Sequence, residues 1–373
     1  MKSVLAISLI LLMSVCFCGC AQCSRTADEA LLPKDTEKPE IITDDITIVA
    51  PEQPTPVPTS TPTATPTPSP TPLPRYIAED GIYTIAWMSD PQHYSKKFPE
   101  YYYAMTSFLR DHRTELNLQY VINTGDLVHN VDLDTEWQVA VLAQSYLDDI
   151  PNGVLAGNHD VTEPYGYSIF TQYFGKAKYR DKPWYGGSFE NNRGHFDLLT
   201  IGETDYIFVY MGYLPSKEAF EWVRKTFAAY PDRIGFLCLH DYYTKTQTLS
   251  EDGQQWHDRV VKKSPNLYMV LCGHKYGAYC FPETFDDDKD GKPDRTVYQM
   301  LFNYQASLRD GGGGYLRLIQ INEAAGTMHN LTYSPILEDF NRFDDPENRE
   351  EYYPFDEKNE EFTLVLPWRI VYE

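Results

Sequence analysis

The first half of the folded part of the chain alternates apolar, β-rich runs with segments of helical periodicity. Predicted strands read IYTIAWMSD, LQYVINTGD and GVLAGN, and they end at Asp90, Asp126 and Asn158. Helices are predicted between them, at 100–116 and at 133–150. Because strands and helices alternate, the strands are expected to pair in parallel through right-handed crossovers.

The second half continues with strands and then changes its pattern. Strands are predicted from SFENN, RGHFDLLTI, DYIFVYMGY, RIGFLCLHD and LYMVLCGH, with helices at 215–229 and 251–263. The last two of these strands end at His240 and His274. Four further strands of an antiparallel kind follow, in YGAYCF, TVYQMLFNYQ, GYLRLIQI and MHNLTYSP. The pattern predicts an α/β fold in which two packed sheets are flanked by helices.

The N-terminal 20 residues have the pattern of an export signal. Lys2 precedes an apolar run from Val4 to Cys18, which is too short to span a bilayer, since a spanning helix needs about 20 apolar residues. Small residues stand directly before Cys20, as at a bacterial lipoprotein cleavage site. We therefore predict a signal peptide at 1–20 with Cys20 as the lipid-modified residue; a plain signal peptide cut nearby is the alternative.

Residues 21–75 are predicted to be a disordered linker. The segment 51–74 is a Pro/Thr repeat, and proline fixes φ and lacks an N–H, so neither helix nor sheet is expected. Such a segment forms an extended spacer of ~3.1 Å per residue. Residues 76–373 are predicted to form one domain, which the leader and linker would hold outside the cytoplasm, anchored to a membrane by the N-terminal lipid.

Charge and cysteine content narrow the partners. The formal net charge is −22, from 54 acidic and 32 basic residues, and no basic stripe appears, which argues against bulk nucleic acid. A phosphate-bearing substrate would then be attracted by a metal centre. Only Cys238, Cys272 and Cys280 lie outside the leader and its flank, so no disulfide framework is expected. We expect a monomer that acts on a small phosphate ester.

Polar side chains at the strand ends are the candidate chemistry. Carboxyl ends of parallel strands meet at one sheet edge, which is where open α/β sheets bind ligands. The residues predicted at that edge are Asp90, Asp126, Asn158, His159, His240 and His274. Carboxylate, amide and imidazole groups together make a divalent-metal site of mixed oxygen and nitrogen ligands.

The ordered motifs SDPQ, GDLVHN, GNHD, LHD and CGHKYG resemble the calcineurin-like metallophosphoesterase superfamily over Ile82 to about Gln305. The resemblance implies a four-layer αββα sandwich that holds two divalent ions, Mn, Fe, Zn or Mg. It implies that Asp126 bridges the two ions and that Asp90 binds one of them. The shell of the other ion would be completed by Asn158, His240 and His274.

The resemblance also implies the catalytic groups. His159 would contact the phosphate and act as general acid toward the leaving alkoxide, a proton transfer worth ~10²–10⁴-fold. Asp160 would orient His159. A metal-bound hydroxide would attack phosphorus in line.

Two residues depart from the superfamily's motifs. Gln92 replaces the histidine of D-x-H, and Tyr276 replaces the last histidine of GH-x-H. Gln92 is still predicted to offer a carbonyl oxygen, because strand alternation would put it on the side of Asp90, whereas His93 should point away. Tyr276 and His129 are further candidate ligands. The site of the ion bound by Asp90 would then be rich in oxygen ligands, which favours Mn²⁺, Fe or Mg²⁺ over Zn²⁺.

A second candidate metal site lies in the acidic segment FDDDKDGKPD. Its carboxylates follow the start of a calcium-loop pattern, with Val297 where a bidentate Glu would stand. The candidate calcium ligands are Asp286, Asp288, Asp290 and Asp294. An acidic hairpin turn is the alternative.

The favoured function is metal-dependent hydrolysis of phosphomonoesters or phosphodiesters outside the cytoplasm. The main alternative is a non-catalytic metal-binding surface module, which Gln92 and Tyr276 favour. A calcium-dependent adhesion domain is the third hypothesis, and it depends on residues 286–294 and the spacer.

Overall fold

The structure is a computed structural model that describes residues 74–162, 166–305, 309–344 and 356–372. The predicted signal peptide at 1–20, Cys20 and nearly all of the linker at 21–75 lie outside these residues, and so remain predictions. Within the described ranges, no helix is long and apolar enough to cross a membrane.

The described residues form two β-sheets. Their strands are β1 (Ile82–Met88), β2 (Leu118–Asn123), β3 (Asn152–Val154), β4 (Tyr185–Phe189), β5 (Gly194–Ile201), β6 (Thr204–Met211), β7 (Ile234–Leu239), β8 (Leu267–Cys272), β9 (Gly277–Phe285), β10 (Arg295–Asn303), β11 (Leu316–Asn322), β12 (Thr327–Tyr333) and β13 (Glu361–Val365). One sheet has the order β13-β12-β11-β1-β2-β3, and the other has the order β4-β5-β6-β7-β8-β10-β9. Both are mixed: β1, β2 and β3 are parallel, as are β6, β7, β8 and β10.

Helices cover the outer faces of the sheets. They are α1 (Gln92–Lys97), α2 (Pro99–Asp111), α3 (Asp134–Ser145), α4 (Ser168–Phe174), α5 (Lys176–Tyr179), α6 (Lys217–Ala229) and α7 (Glu251–Arg259). Serine caps begin α6 and α7, where Ser216 accepts the N–H of Ala219 at 3.3 Å and Ser250 accepts that of Gly253 at 2.9 Å. These caps explain why both helices start close to their predicted positions.

The strands are apolar on both faces because each sheet is covered on both sides. In β1, Ile85 and Trp87 pack between the sheets, whereas Ala86 and Met88 pack against α2 and α3. On the other sheet, Ile207 and Val209 face the helix layer of α6 and α7. The result is the four-layer αββα sandwich that the sequence predicted.

Several elements differ from the sequence prediction. Helix α1 begins directly after Pro91, where the sequence suggested only the end of a strand. The short helices α4 and α5 and the edge strand β13 were not predicted either. These pieces are short or amphipathic only in part, so their periodicity is weak, and tertiary contacts decide them.

A buried polar pair lies in the sandwich away from the strand edge. His195 and Asp197 on β5 are each 1% exposed, and the Asp197 carboxyl accepts the hydroxyl of Tyr120. Neither ring nitrogen of His195 has a hydrogen-bond partner among the described residues. Burial lowers the pKa of His195 to about 3 and raises the pKa of Asp197 well above its usual range, so burial favours the neutral form of both groups.

Asp197→Asn should stabilise the folded protein relative to the wild type at alkaline pH but not at acid pH. The folded wild type keeps a proton on Asp197 that the unfolded chain releases above a pKa of 3.8, so wild-type stability falls as the pH rises beyond that value. Asparagine carries no such proton. Melting temperatures should match at about pH 4 and favour the variant at about pH 8. Asp232→Asn, at an exposed position, is the control; equal curves for Asp197→Asn and wild type would contradict the assignment.

Candidate metal centre

Three of the predicted site residues follow strand ends in a left-handed backbone conformation. Asp90, Asp126 and His274 have φ values of 54°, 55° and 66°. A non-glycine residue pays about 1–3 kcal/mol for such a conformation, and residues held this way cluster at functional sites. These turns bring the carboxyl ends of β1, β2 and β8 to one edge, where the Asp90 N–H donates to the carbonyl of Gly125 at 3.1 Å.

The two carboxylate oxygens of Asp126, which is 1% exposed, have different neighbours. Oδ1 accepts the main-chain N–H of His159 at 3.0 Å and lies 3.2 Å from Nε2 of His240. Oδ2 accepts the side-chain amide of Gln92 at 2.9 Å. Asp126 therefore stands between the two groups of predicted ligands, as expected of a bridging carboxylate.

His240 is oriented by its backbone contact. Its Nδ1 lies 2.8 Å from the carbonyl oxygen of Thr124, so Nδ1 carries the proton and Nε2 is turned toward Asp126 and toward Oδ1 of Asn158 at 3.1 Å. Burial disfavours a charged ring here, but the Asp126 carboxylate outweighs burial and raises the pKa of His240 to about 10. In turn, although burial opposes ionisation, His240 lowers the pKa of Asp126 to about 2.

His274 completes this group. Ligand atoms of Asp126, His240 and His274 all lie within 4.8 Å of one another, and the two imidazole rings are 4.8 Å apart between centroids. Burial, with the neighbouring His240, lowers the pKa of His274 to about 3, so its ring is neutral and offers a lone pair.

Asp90 lies on the other side of Asp126. Its carboxylate accepts the main-chain N–H of His274 at 3.0 and 3.1 Å and the hydroxyl of Ser89. Burial and the charge of Asp126 raise the pKa of Asp90 to about 7. The amide of Gln305 approaches Asp90 at 3.5 Å, so the NYQ segment at 303–305 borders the site.

His159 is held by a main-chain carbonyl and not by Asp160. Its Nδ1 lies 2.8 Å from the carbonyl oxygen of His129. The carboxylate of Asp160 instead accepts the N–H groups of Gly157 at 2.8 Å and Val128 at 3.0 Å. The orientation of His159 by Asp160 remains a prediction, and it would act through the backbone of the two loops that Asp160 joins. Burial, with the charge of Asp126, raises the pKa of Asp160 to about 7.

Strand alternation gave the wrong orientation for His93. The strand stops at Met88, and Gln92 and His93 begin α1, where successive residues are 100° apart and not on opposite faces. His93 therefore borders the same cavity as Gln92, and its ring stacks on that of His129 at 5.4 Å between centroids. The ring of His129 stacks in turn on His159 at 4.8 Å.

A cavity of about 250 Å³ opens over the site. Its lining includes predicted ligands at the floor and several side chains at the rim: Gln92, Asp126, Asn158, His274, His93, His129, His159, Lys245, Lys275, Tyr276 and Gln305. The sequence analysis missed Lys245 and Lys275, having assumed that no protein cation attracts the phosphate. Lys275 was visible inside the CGHKYG motif, whereas Lys245 lies in a loop whose position only the fold decides.

The side chains around His240 suit a divalent metal. Asp126, Asn158, His240 and His274 supply one carboxylate, one amide oxygen and two imidazoles, a mixed set that binds Mn²⁺, Fe²⁺ or Zn²⁺. Nε2 of His240 lies 3.2 Å from Oδ1 of Asp126, and a divalent cation held by these atoms would balance the buried carboxylate. The Thr124 carbonyl already fixes the ring for that purpose.

Comparison with known proteins identifies the fold family. The family model of calcineurin-like phosphoesterases matches residues 83–277, just over half of the chain. The chain belongs to this family. Membership confirms the predicted superfamily, and it implies a centre of two divalent metal ions.

The individual proteins similar to this chain are either much longer than it or about 10% identical to it. The uncharacterized protein YvnB of Bacillus subtilis (strain 168) is 42% identical over 266 residues, which are 70% of this chain and 21% of that protein. This chain thus spans about a fifth of the length of that relative. Among solved structures, a purple acid phosphatase from yellow lupin (Lupinus luteus) is 10% identical, with 78% of this chain and 55% of that chain covered and a TM-score of 0.46. GAP50 of Plasmodium is 9% identical, with 75% and 93% covered and a TM-score of 0.43.

In this calcineurin-like phosphoesterase, the residues predicted to bind the two ions lie together where the strands end, with Gln92 in the first turn of α1. Tyr276 and His129 border the cavity, and metal ligation by either remains a prediction. Metal ligation by Gln92 also remains a prediction, although its carbonyl oxygen Oε1 is buried and has no hydrogen-bond partner among the described residues.

The predicted calcium loop is an exposed turn between β9 and β10. Carboxylates of Asp286, Asp288 and Asp290 lie within 4.8 Å of one another. Asp294 is not in this group, because its carboxylate accepts the N–H groups of Asp287 at 2.6 Å and Asp288 at 3.2 Å. Calcium binding here remains a prediction, without Asp294 as a ligand in this conformation.

Gly157→Ala should disrupt the centre, because no side chain fits there. An added Cβ would lie 2.0 Å from Oδ1 of Asp126 and 2.6 Å from Cε1 of His240. We expect a loss of about 1–3 kcal/mol in stability from overpacking and metal affinity lowered by about 10-fold or more. Calorimetry and metal analysis would measure both. Gly202→Ala, in an open turn with φ +60°, is the control and should lose stability alone.

Glu136 should matter for turnover, because its carboxylate holds the loop of His129. It is 4% exposed, and its carboxylate accepts the N–H groups of His129 at 2.7 Å and Asn130 at 2.8 Å, which fixes the carbonyl that holds His159. Glu136→Ala should lower kcat by about 10-fold with metal content unchanged. Glu100→Ala, on the exposed face of α2, should not. Equal kcat in both variants would exclude this role for Glu136.

Proposed function

We propose that this protein hydrolyses phosphate monoesters or diesters outside the cytoplasm. The observation that supports it most is the position of Asp126, whose two oxygens face two groups of candidate ligands beneath a cavity bordered by His159. This arrangement suits hydrolysis of a phosphate ester. The phosphate would lie in the cavity above the metal ligands, with His159 as the acid beside the leaving oxygen.

The chain's own side chains divide the work. Lys245 and Lys275 border the cavity and offset the negative charge of the phosphate. His159 has Nδ1 fixed by the His129 carbonyl, which leaves Nε2 to donate a proton to the leaving oxygen. Asp126, Asn158, His240 and His274 would hold a divalent ion, which when bound supplies charge that polarises the phosphate and makes water easier to deprotonate.

Hydrolysis of an aryl phosphate and of the matching diester tests the proposal. The full chain would be stripped of metal and reloaded separately with Mn²⁺, Zn²⁺, Mg²⁺ and Fe²⁺, and each form would be assayed. Metal-dependent turnover of either substrate supports the enzyme. Protein that binds metal at Asp126 and His240 but turns over neither substrate would instead be the non-catalytic surface module.

The location is a separate part of the proposal. It is supported by the leader, by Cys20 and by the Pro/Thr segment at 51–74. Expression of the full chain in a bacterium with labelled fatty acid should give labelled, membrane-bound protein. Cys20→Ser should abolish both the label and the attachment; an unlabelled, freely released wild type would exclude the lipid anchor.

A further inference from the structure

The centre has two predicted metal sites, called here its two halves, and they differ in their ligands. The second half is the site beside Asp90. One half has the carboxylate of Asp126 with two imidazoles, and their ligand atoms lie within 4.8 Å of one another. No comparable group of three histidine, cysteine or acidic side chains includes Asp90 in the described part of the chain. Where the superfamily's motifs have histidines, the second half has Gln92 and Tyr276, which offer an amide and a phenol in place of two imidazole nitrogens.

The Gln92 amide faces Asp126 with its nitrogen. Nε2 lies 2.9 Å from Oδ2 of Asp126, and a carboxylate only accepts hydrogen bonds, so the NH₂ group must be on this side. The amide oxygen then points away, and it is buried with no partner among the described residues. The N–H thus approaches the carboxylate oxygen that a second cation would share.

Asp90 is also already engaged. It is 1% exposed, and it accepts the N–H of His274 and the hydroxyl of Ser89. These bonds occupy oxygen lone pairs that a cation would otherwise use. A second ion would need the Gln92 amide to rotate, because its NH₂ group faces Asp126 and an amide NH₂ does not bind cations. After rotation the amide oxygen would repel Asp126 unless the ion lay between them.

We propose that the centre binds one divalent ion tightly, through Asp126, Asn158, His240 and His274, and that the Gln92 amide occupies the place of the second ion. A second ion binds only with rotation of the amide, and therefore much more weakly. This rests on the proposed function for the identity of the site, and it replaces the ligand role that the sequence predicted for Gln92. The enzyme then works with one resident ion.

Manganese binding tests this without an activity assay. The full chain, stripped of metal, would be titrated with Mn²⁺ by calorimetry, dialysed and analysed for bound metal, and its EPR spectrum recorded. The wild type should retain one ion and give the spectrum of an isolated Mn²⁺. Two retained ions with the spectrum of an exchange-coupled pair would overturn the proposal.

Variants at Gln92 add a matched comparison. Gln92→His, alone or with Tyr276→His, restores imidazoles to the second half and should raise retained manganese from one ion to two, with coupling. Gln92→Leu keeps the bulk but removes both polar atoms, and it should still retain one ion. A folded double variant that retains one ion would overturn the proposal; if neither histidine variant folds, the wild-type spectrum decides. Wild-type protein that retains no ion would instead contradict the proposed function.

Discussion

Replacing Asp126 with alanine should abolish phosphoester hydrolysis and metal retention together. The Asp126 carboxylate contacts both His240 and Gln92, so its loss removes the anion nearest to a cation bound beside His240. Altering an outer partner of a metal site costs 10–100-fold, and loss of a central ligand should exceed about 100-fold in metal affinity. Retained metal would be measured by elemental analysis and turnover with an aryl phosphate.

Asp126→Asn separates charge from folding in this experiment. The amide oxygen can still accept the N–H of His159, which lies 3.0 Å from Oδ1. We therefore expect the asparagine variant to fold like the wild type, yet to lose metal and activity nearly as fully as the alanine variant. Alanine also leaves the His159 N–H without its acceptor, which costs about 1–3 kcal/mol. Turnover near the wild-type level in either variant would exclude metal binding by Asp126 as a requirement for hydrolysis.

His159→Ala should reduce kcat by about 10²–10⁴-fold for esters with poor leaving groups, with metal content unchanged. The ring is aimed by the His129 carbonyl, so its loss removes the proton donor and leaves Asp126, His240 and His274 in place. Esters of acidic phenols leave without help and should lose much less rate. A series of aryl and alkyl phosphates would show a steeper dependence of kcat on leaving-group pKa in the variant.

His329→Ala provides the matched control for that series. His329 lies on β12 and its Nδ1 contacts the Thr363 hydroxyl at 3.0 Å, on the strand pair β12–β13 at the far edge of its sheet. Its removal should leave the leaving-group dependence as in the wild type. If His159→Ala slowed every ester equally, the residue would bind phosphate without acting as the acid, and the proton would have to come from elsewhere in the cavity.

Local sequence was sufficient for much of the architecture. The strands that precede Asp90, Asp126, His240 and His274 were located from apolar runs, because buried parallel strands are apolar on both faces. The alternation with helices then implied that these ends meet at one edge. The two-sheet sandwich followed from the later antiparallel strands, and the family match agrees with it.

What only the tertiary structure decided concerns directions and distant loops. His93 and Gln92 share the cavity because the chain turns left-handed at Asp90 and enters α1. Two residues are too few for their hydrophobic pattern to show that strand has changed to helix. Lys245 borders the site from a loop after β7, and His129 holds His159 by a carbonyl that carries no side-chain signal. The sequence determined which groups stand at the strand ends, since periodicity is local; which atoms face one another depended on turns and backbone contacts between segments far apart in the chain.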